Sequence, residues 1–72
     1  VTYRQQVEQA IRDIASSAWT WDEILSWFAD EGRPIARGTW AAWRRGRHCP
    51  RLAHCELILE LAEEVARSAA IA

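Results

Sequence analysis

The sequence predicts a small all-α domain, a bundle of four helices with a fifth piece allowed near Ser68, containing a helix-turn-helix. Three observations predict it. Apolar residues recur at helical spacing in four successive stretches. Residues that start or stop helices bound these stretches. No segment alternates with period two between turn residues, and no Asn-Gly or Asp-Gly pair signals a hairpin. The 72 residues make one domain at most, with the motif at about residues 21–46 and a C-terminal helix at about 51–69. A chain this short buries only ~60% of the surface its unfolded form exposes. Its five tryptophans offset part of that shortfall, because each buries a large area.

The first helix is expected over Tyr3–Ser17. Thr2-Tyr3-Arg4-Gln5 has the form of a capping box, and Val7, Ala10, Ile11, Ile14, Ala15 and Ala18 follow at helical spacing. The second is expected over Trp21–Glu31. Thr20-Trp21-Asp22-Glu23 is a second capping box, with two acids favoured by the positive helix N-terminus. Trp21, Ile24, Leu25 and Phe28 form its inward stripe, and Trp27 falls to a flank. Gly32 suits the residue just past the helix, and Pro34 opposes continuation.

The third helix is short, from about Ala36 to Arg45, and Gly46 stops it. Ala36, Trp40 and Trp43 point inward, with Ile35 just ahead. At 100° per residue, Gly38, Ala41, Ala42 and Arg45 fall on the opposite side, flanked by Arg37 and Arg44 on one edge and Thr39 on the other. Pro50 suits the first turn of a fourth helix. In that helix Leu52, Cys55, Leu59, Ala62, Ala66 and Ala69 form one stripe and Ile58, Leu61 and Val65 a second, while Glu56, Glu60, Glu63 and Arg67 mark the wet side. So broad a stripe offers surface both to the domain and to the first helix or a second copy of the chain.

Charge is distributed unevenly. From Gly32 to Cys55 there is no acid, whereas Arg33, Arg37, Arg44, Arg45, Arg47 and Arg51 all lie there with both histidines. The whole-chain net charge of −1 thus hides a local charge of about +6, and such a block points at a polyanion. The blander alternative is a solvated surface that offsets acids of the second and fourth helices. No lysine is present, so every cation is a guanidinium that can bind phosphate bidentately.

Ile35-Ala36-Arg37-Gly38-Thr39-Trp40-Ala41-Ala42-Trp43-Arg44-Arg45-Gly46-Arg47, followed by Pro50, resembles the recognition-helix half of lambda-repressor/Cro-type (XRE-like) regulators. Leu57-Ile58-Leu59-Glu60-Leu61-Ala62 resembles the next core helix of that family, and the likeness covers about residues 20–65. The turn Asp30-Glu31-Gly32-Arg33-Pro34 departs from the family by a residue or more of extra length. The resemblance implies operator binding, usually as a dimer on a two-fold related site, with the third helix in the major groove.

On that reading Arg37, Arg44 and Arg45 meet base edges or nearby phosphates, Thr39 and Arg33 contact phosphates, and Arg47 and Arg51 grip the backbone. Gly38, Ala41 and Ala42 let the helix come close to the groove. The expected function is a sequence-specific double-stranded DNA-binding transcriptional regulator, a repressor or autoregulator of phage or plasmid type, acting as a homodimer. The alternative is a small protein-interaction module, an inhibitor or adaptor, that docks an acidic partner through the arginine face. RNA binding is a third possibility.

Other chemistry finds little footing. His48-Cys49 and His54-Cys55 would suit zinc by type, but helical neighbours diverge by ~100° and the paired C-x₂-C spacing is missing, so neither metal nor cofactor is expected. A Cys49–Cys55 disulfide is not expected either, because it needs Cα atoms within ~7 Å and the six helical steps between them do not give that. With no carboxylate in the window to orient a histidine, and little room for a pocket, an enzyme is not expected and no small-molecule ligand is evident. Trp19, Trp21, Trp40 and Trp43 read as core, and Trp27 as the best exposed tryptophan. The first residues carry no secretory-signal pattern and no apolar run spans a membrane, so the expected location is cytoplasmic, with free thiols, and on the nucleoid when DNA is bound.

Overall fold

The computed structural model describes residues 1–71. Four helices form in chain order: α1 (Tyr3–Ala15), α2 (Trp21–Asp30), α3 (Arg37–Arg44) and α4 (Leu52–Ile71). No strand is present among the described residues. The radius of gyration is 11.4 Å, close to the ~11 Å of a tightly packed chain of this length.

Local chemistry sets the ends. Both capping boxes form: Thr2 Oγ1 accepts from the Gln5 amide at 3.1 Å while the Thr2 amide donates to Gln5 Oε1 at 3.0 Å, and Thr20 and Glu23 repeat the exchange at 3.2 and 2.9 Å. Serines stop α1 two residues before the expected Ser17. The Ser17 hydroxyl donates to the Ile14 carbonyl at 2.6 Å, then accepts from the Trp19 amide at 3.2 Å.

Helices α2 and α3 end the same way. Gly32 (φ 83°) and Gly46 (φ 73°) take the left-handed conformation just past each helix. The Gly32 amide donates to the Ala29 carbonyl and the Arg33 amide to that of Phe28, both at 3.0 Å. Gly46 and Arg47 donate likewise to Trp43 and Ala42, at 3.2 and 3.0 Å. Both ends are Schellman motifs, in which the reversal satisfies carbonyls that the helix leaves open.

The core draws on all four helices. Val7, Ala10, Ile11 and Ile14 of α1 meet Ile24 and Phe28 of α2, Trp40 and Trp43 of α3, and Cys55, Ile58, Leu61 and Val65 of α4. Backbones pack most extensively between α1 and α4, and α1 also packs on α3. The first helix therefore takes the spare surface of the last. Aromatic edges link α2 to the rest: Trp27 meets Phe28 at 5.4 Å, Phe28 meets Trp43 at 6.1 Å, and Trp43 meets Trp40 at 6.4 Å and the half-buried His54 at 5.4 Å.

Several expectations are corrected. Ala18 and Ala36 are exposed, not inward, because α1 has already ended at Ala15 and Ala36 precedes the first turn of α3. Trp27 is half-buried rather than the exposed tryptophan, because its ring lies edge-on to Phe28. Trp19 and Trp21 are only half-buried. Pro50 lies outside α4, whose first hydrogen bond runs from the Cys55 amide to the Arg51 carbonyl at 2.9 Å. The buried line of α4 joins Cys55 to Ile58, Leu61 and Val65, which leaves Leu52, Ala66 and Ala69 exposed. The helix continues through Ser68 without a fifth piece. No helix among the described residues is long and apolar enough to cross a membrane.

Candidate nucleic-acid interface

Helix α3 is anchored from beneath. Trp40 is fully buried and Trp43 is 7% exposed, so the two rings fix the roll of a helix of only eight residues. With the inward side occupied by indoles, polar and small residues are turned outward. At ~1.5 Å per residue the helix is ~12 Å long, comparable to the ~12 Å width of a major groove.

All six arginines of the acid-free window are exposed. They are not equivalent. Arg37 and Arg44 share one flank, where both guanidinium groups lie over the half-buried Trp21 ring of α2, 5.7 and 5.5 Å from its centroid. Cation–π contacts at this range stabilise by ~0.5–1 kcal/mol at exposed sites. Arg37 also donates through Nη2 to the Asp22 carboxylate. Intramolecular pairing thus takes up one of the six arginines, and the other five have no carboxylate partner among the described residues.

Arg33 and Arg47 occupy matching positions, each the third residue past its helix, held there by the Schellman reversals. Arg51 supplies the carbonyl that opens α4. On the other flank of α3, Gly38, half-buried Thr39 and half-buried Ala42 line a shallow depression with His48. Ala41 is half-buried too, so the small-residue face is less open than its spacing predicted.

Gly38 is distinctive. It is exposed, its backbone is helical rather than left-handed, and a Cβ added there meets nothing within 4 Å. Neither conformation nor internal packing calls for glycine, which weakens a helix by up to ~1 kcal/mol relative to alanine.

Sequence reasoning missed Trp21 and Asp22. Both were accounted for locally, as a stripe residue and a helix-dipole residue, and no spacing rule reports that α2 presents them to the arginines of α3. It also missed a cavity of about 440 Å³ between α1, α3 and the start of α4, which corrects the expectation that so short a chain has little room for a pocket. Among the described residues no cluster of three or more His, Cys, Asp or Glu side chains is placed to hold a metal ion. Cys49 and Cys55 are free thiols, and residues 49–51 are not helical, unlike the geometry assumed for them.

The connection between α2 and α3 runs from Glu31 to Ala36. It is longer than the 3–4-residue turn of the usual helix-turn-helix, in line with the extra length legible in the sequence. Compared with known protein families, curated proteins and solved structures, the chain matches none.

Proposed function

We propose that the domain is a sequence-specific double-stranded DNA-binding regulator, of the repressor or autoregulator kind, that inserts α3 into the major groove. Gly38 carries this reading. An exposed helical glycine with open space around it costs fold stability and gains nothing internally. It is explained by a surface that must approach the α3 backbone from outside. The surrounding charge makes that surface anionic, since five exposed arginines lack a carboxylate partner among the described residues.

Arg37, Arg44 and Arg45 are the residues proposed to meet base edges or the phosphates beside them, with Thr39 and Arg33 on phosphates and Arg47 and Arg51 on the backbone. Trp21 holds Arg37 and Arg44 at a set spacing before any duplex arrives. A single eight-residue helix offers modest affinity, and two copies on successive turns ~34 Å apart supply the rest, so a homodimer is part of the proposal. Selection from a random duplex library tests it. Recovery of a two-fold symmetric site supports the reading, and no enrichment over random sequence overturns it.

A further inference from the structure

The cavity beneath the C-terminal end of α3 has a composition unlike the duplex-facing surface. Its floor is apolar, with Val7 and Ile11 of α1 facing Trp43 of α3. Its rim is cationic, with Arg4, Arg12, Arg44 and Arg45, and Glu8 as the one carboxylate among the described lining residues. Glu8 is already ion-paired with Arg4 at 3.3 Å. Arg12 donates to Gln9 at 3.0 Å, and Arg45 has no ion-pair partner among the described residues. At about 440 Å³ the space falls within the ~300–1,000 Å³ of small-molecule clefts.

We propose that this cavity binds a small organic anion with an apolar body, a medium-chain or aromatic monocarboxylate. Its hydrocarbon part rests on Val7, Ile11 and Trp43. Its carboxylate is held by the rim guanidinium groups, whose planar forks match two oxygens. A neutral molecule of the same shape leaves the arginines without a counter-charge. An anion without an apolar body leaves the floor uncovered. Arg45 belongs to both the rim and the candidate duplex face, whereas the Arg44 guanidinium lies over Trp21, so an occupied cavity competes with a duplex for Arg45. This last step rests on the duplex reading, and the binding site itself does not.

Nuclear magnetic resonance titration of the full chain tests the site without DNA. Octanoate and 1-naphthoate are each compared with the matching amide. The expected result is saturable shifts of the Val7 and Ile11 methyls and the Trp43 indole with at least one carboxylate, and at least tenfold weaker binding of its amide. Arg12→Gln and Arg45→Gln, both at exposed positions, should each weaken the carboxylate about fivefold or more and leave the amide unchanged. The proposal is overturned if neither carboxylate saturates these signals below 10 mM, if the amides bind equally well, or if both variants bind the carboxylate like the parent. A selected duplex added at saturating carboxylate should bind several-fold more weakly. Unchanged duplex affinity would sink the competition while leaving the cavity site standing, and failure to select any duplex bears on the duplex reading alone.

Discussion

Arg37 of α3 is ion-paired with Asp22 of α2, on the flank where Trp21 lies beneath its guanidinium. The pair is exposed, with side-chain exposures of 57% and 80%, so it adds at most a few tenths of a kcal/mol to stability. Its consequence is for charge. On the proposed duplex reading, Asp22 holds a carboxylate where a phosphate would come.

Asp22→Asn should therefore cost no more than about 1 kcal/mol of stability, from the lost first-turn charge and ion pair, while strengthening duplex binding a few-fold at 0.1 M salt. The salt dependence should steepen by about 0.9 in log–log slope, the value for one additional phosphate contact. Fluorescence anisotropy across a salt series reads both. An unchanged slope would mean that Arg37 does not reach the backbone.

Gly38→Ala separates folding from binding. The added methyl enters open space on a helix, so stability should rise by up to ~1 kcal/mol. Duplex affinity should fall at the same time, because the methyl keeps the backbone from the groove. A more stable variant with full affinity would mean that close approach to a groove does not account for the glycine.

Arg45→Ala and Arg51→Ala should differ in kind. Loss of Arg45 should relax preference at one base position and cost ~1–3 kcal/mol there. Loss of Arg51 should weaken all duplexes alike and lower the salt slope by about 1. Identical profiles in a site-variant panel would refute the division between reading and gripping arginines.

Trp40 is fully buried, and its Nε1 has no hydrogen-bond partner among the described residues. Trp40→Ala should cost ~3–5 kcal/mol, a large part of the ~4–11 kcal/mol typical of a chain this size. Trp40→Phe leaves a smaller void and removes the unpartnered donor, so it should cost less than ~2 kcal/mol. Urea unfolding measures both, and a loss for Trp40→Phe as large as that for Trp40→Ala would refute this account of the site.

The two thiols should react in sequence. Cys49 is exposed, whereas Cys55 is 8% exposed and its Sγ–H points at the Pro50 carbonyl at 3.4 Å. Burial, with the neighbouring Cys49 adding to it, raises the Cys55 pKa above the ordinary thiol value. Alkylation at neutral pH should label Cys49 first and Cys55 only slowly. The raised value means that the folded state holds this proton more tightly. Its stabilising contribution is complete below the unfolded pKa of ~8.5 and is lost as pH rises through the folded pKa. Unfolding free energy should fall in that alkaline window, and Cys55→Ala should flatten the fall.

What was legible in the sequence was local. Thr2 with Gln5 and Thr20 with Glu23 are partners three residues apart, and Gly32 and Gly46 stand where helices need a left-handed residue, so spacing alone revealed them. The inward role of Trp40 and Trp43 followed from periodicity. What was hidden depends on how helices cross. Trp21 beneath Arg37 and Arg44, Trp27 turned onto Phe28, and the cavity floored by Val7, Ile11 and Trp43 each join residues from separate places in the chain. Ala36 and Pro50 misled for a simpler reason: each lies just outside a helix whose pattern suggested that it lay inside.

The closest packing in the domain joins its first helix to its last, and this orders events during synthesis. A ribosome delivers α1, α2 and α3 before the residues that complete their common core. At roughly 5–20 residues per second, a helix the length of α4 takes about 1–4 s to emerge. Until Ile58, Leu61 and Val65 are available, α1 lacks its most extensive packing partner and the core that it shares with α2 and α3 is incomplete. A chain elongated only through α3 therefore carries the arginines of the acid-free window without the completed core beneath them.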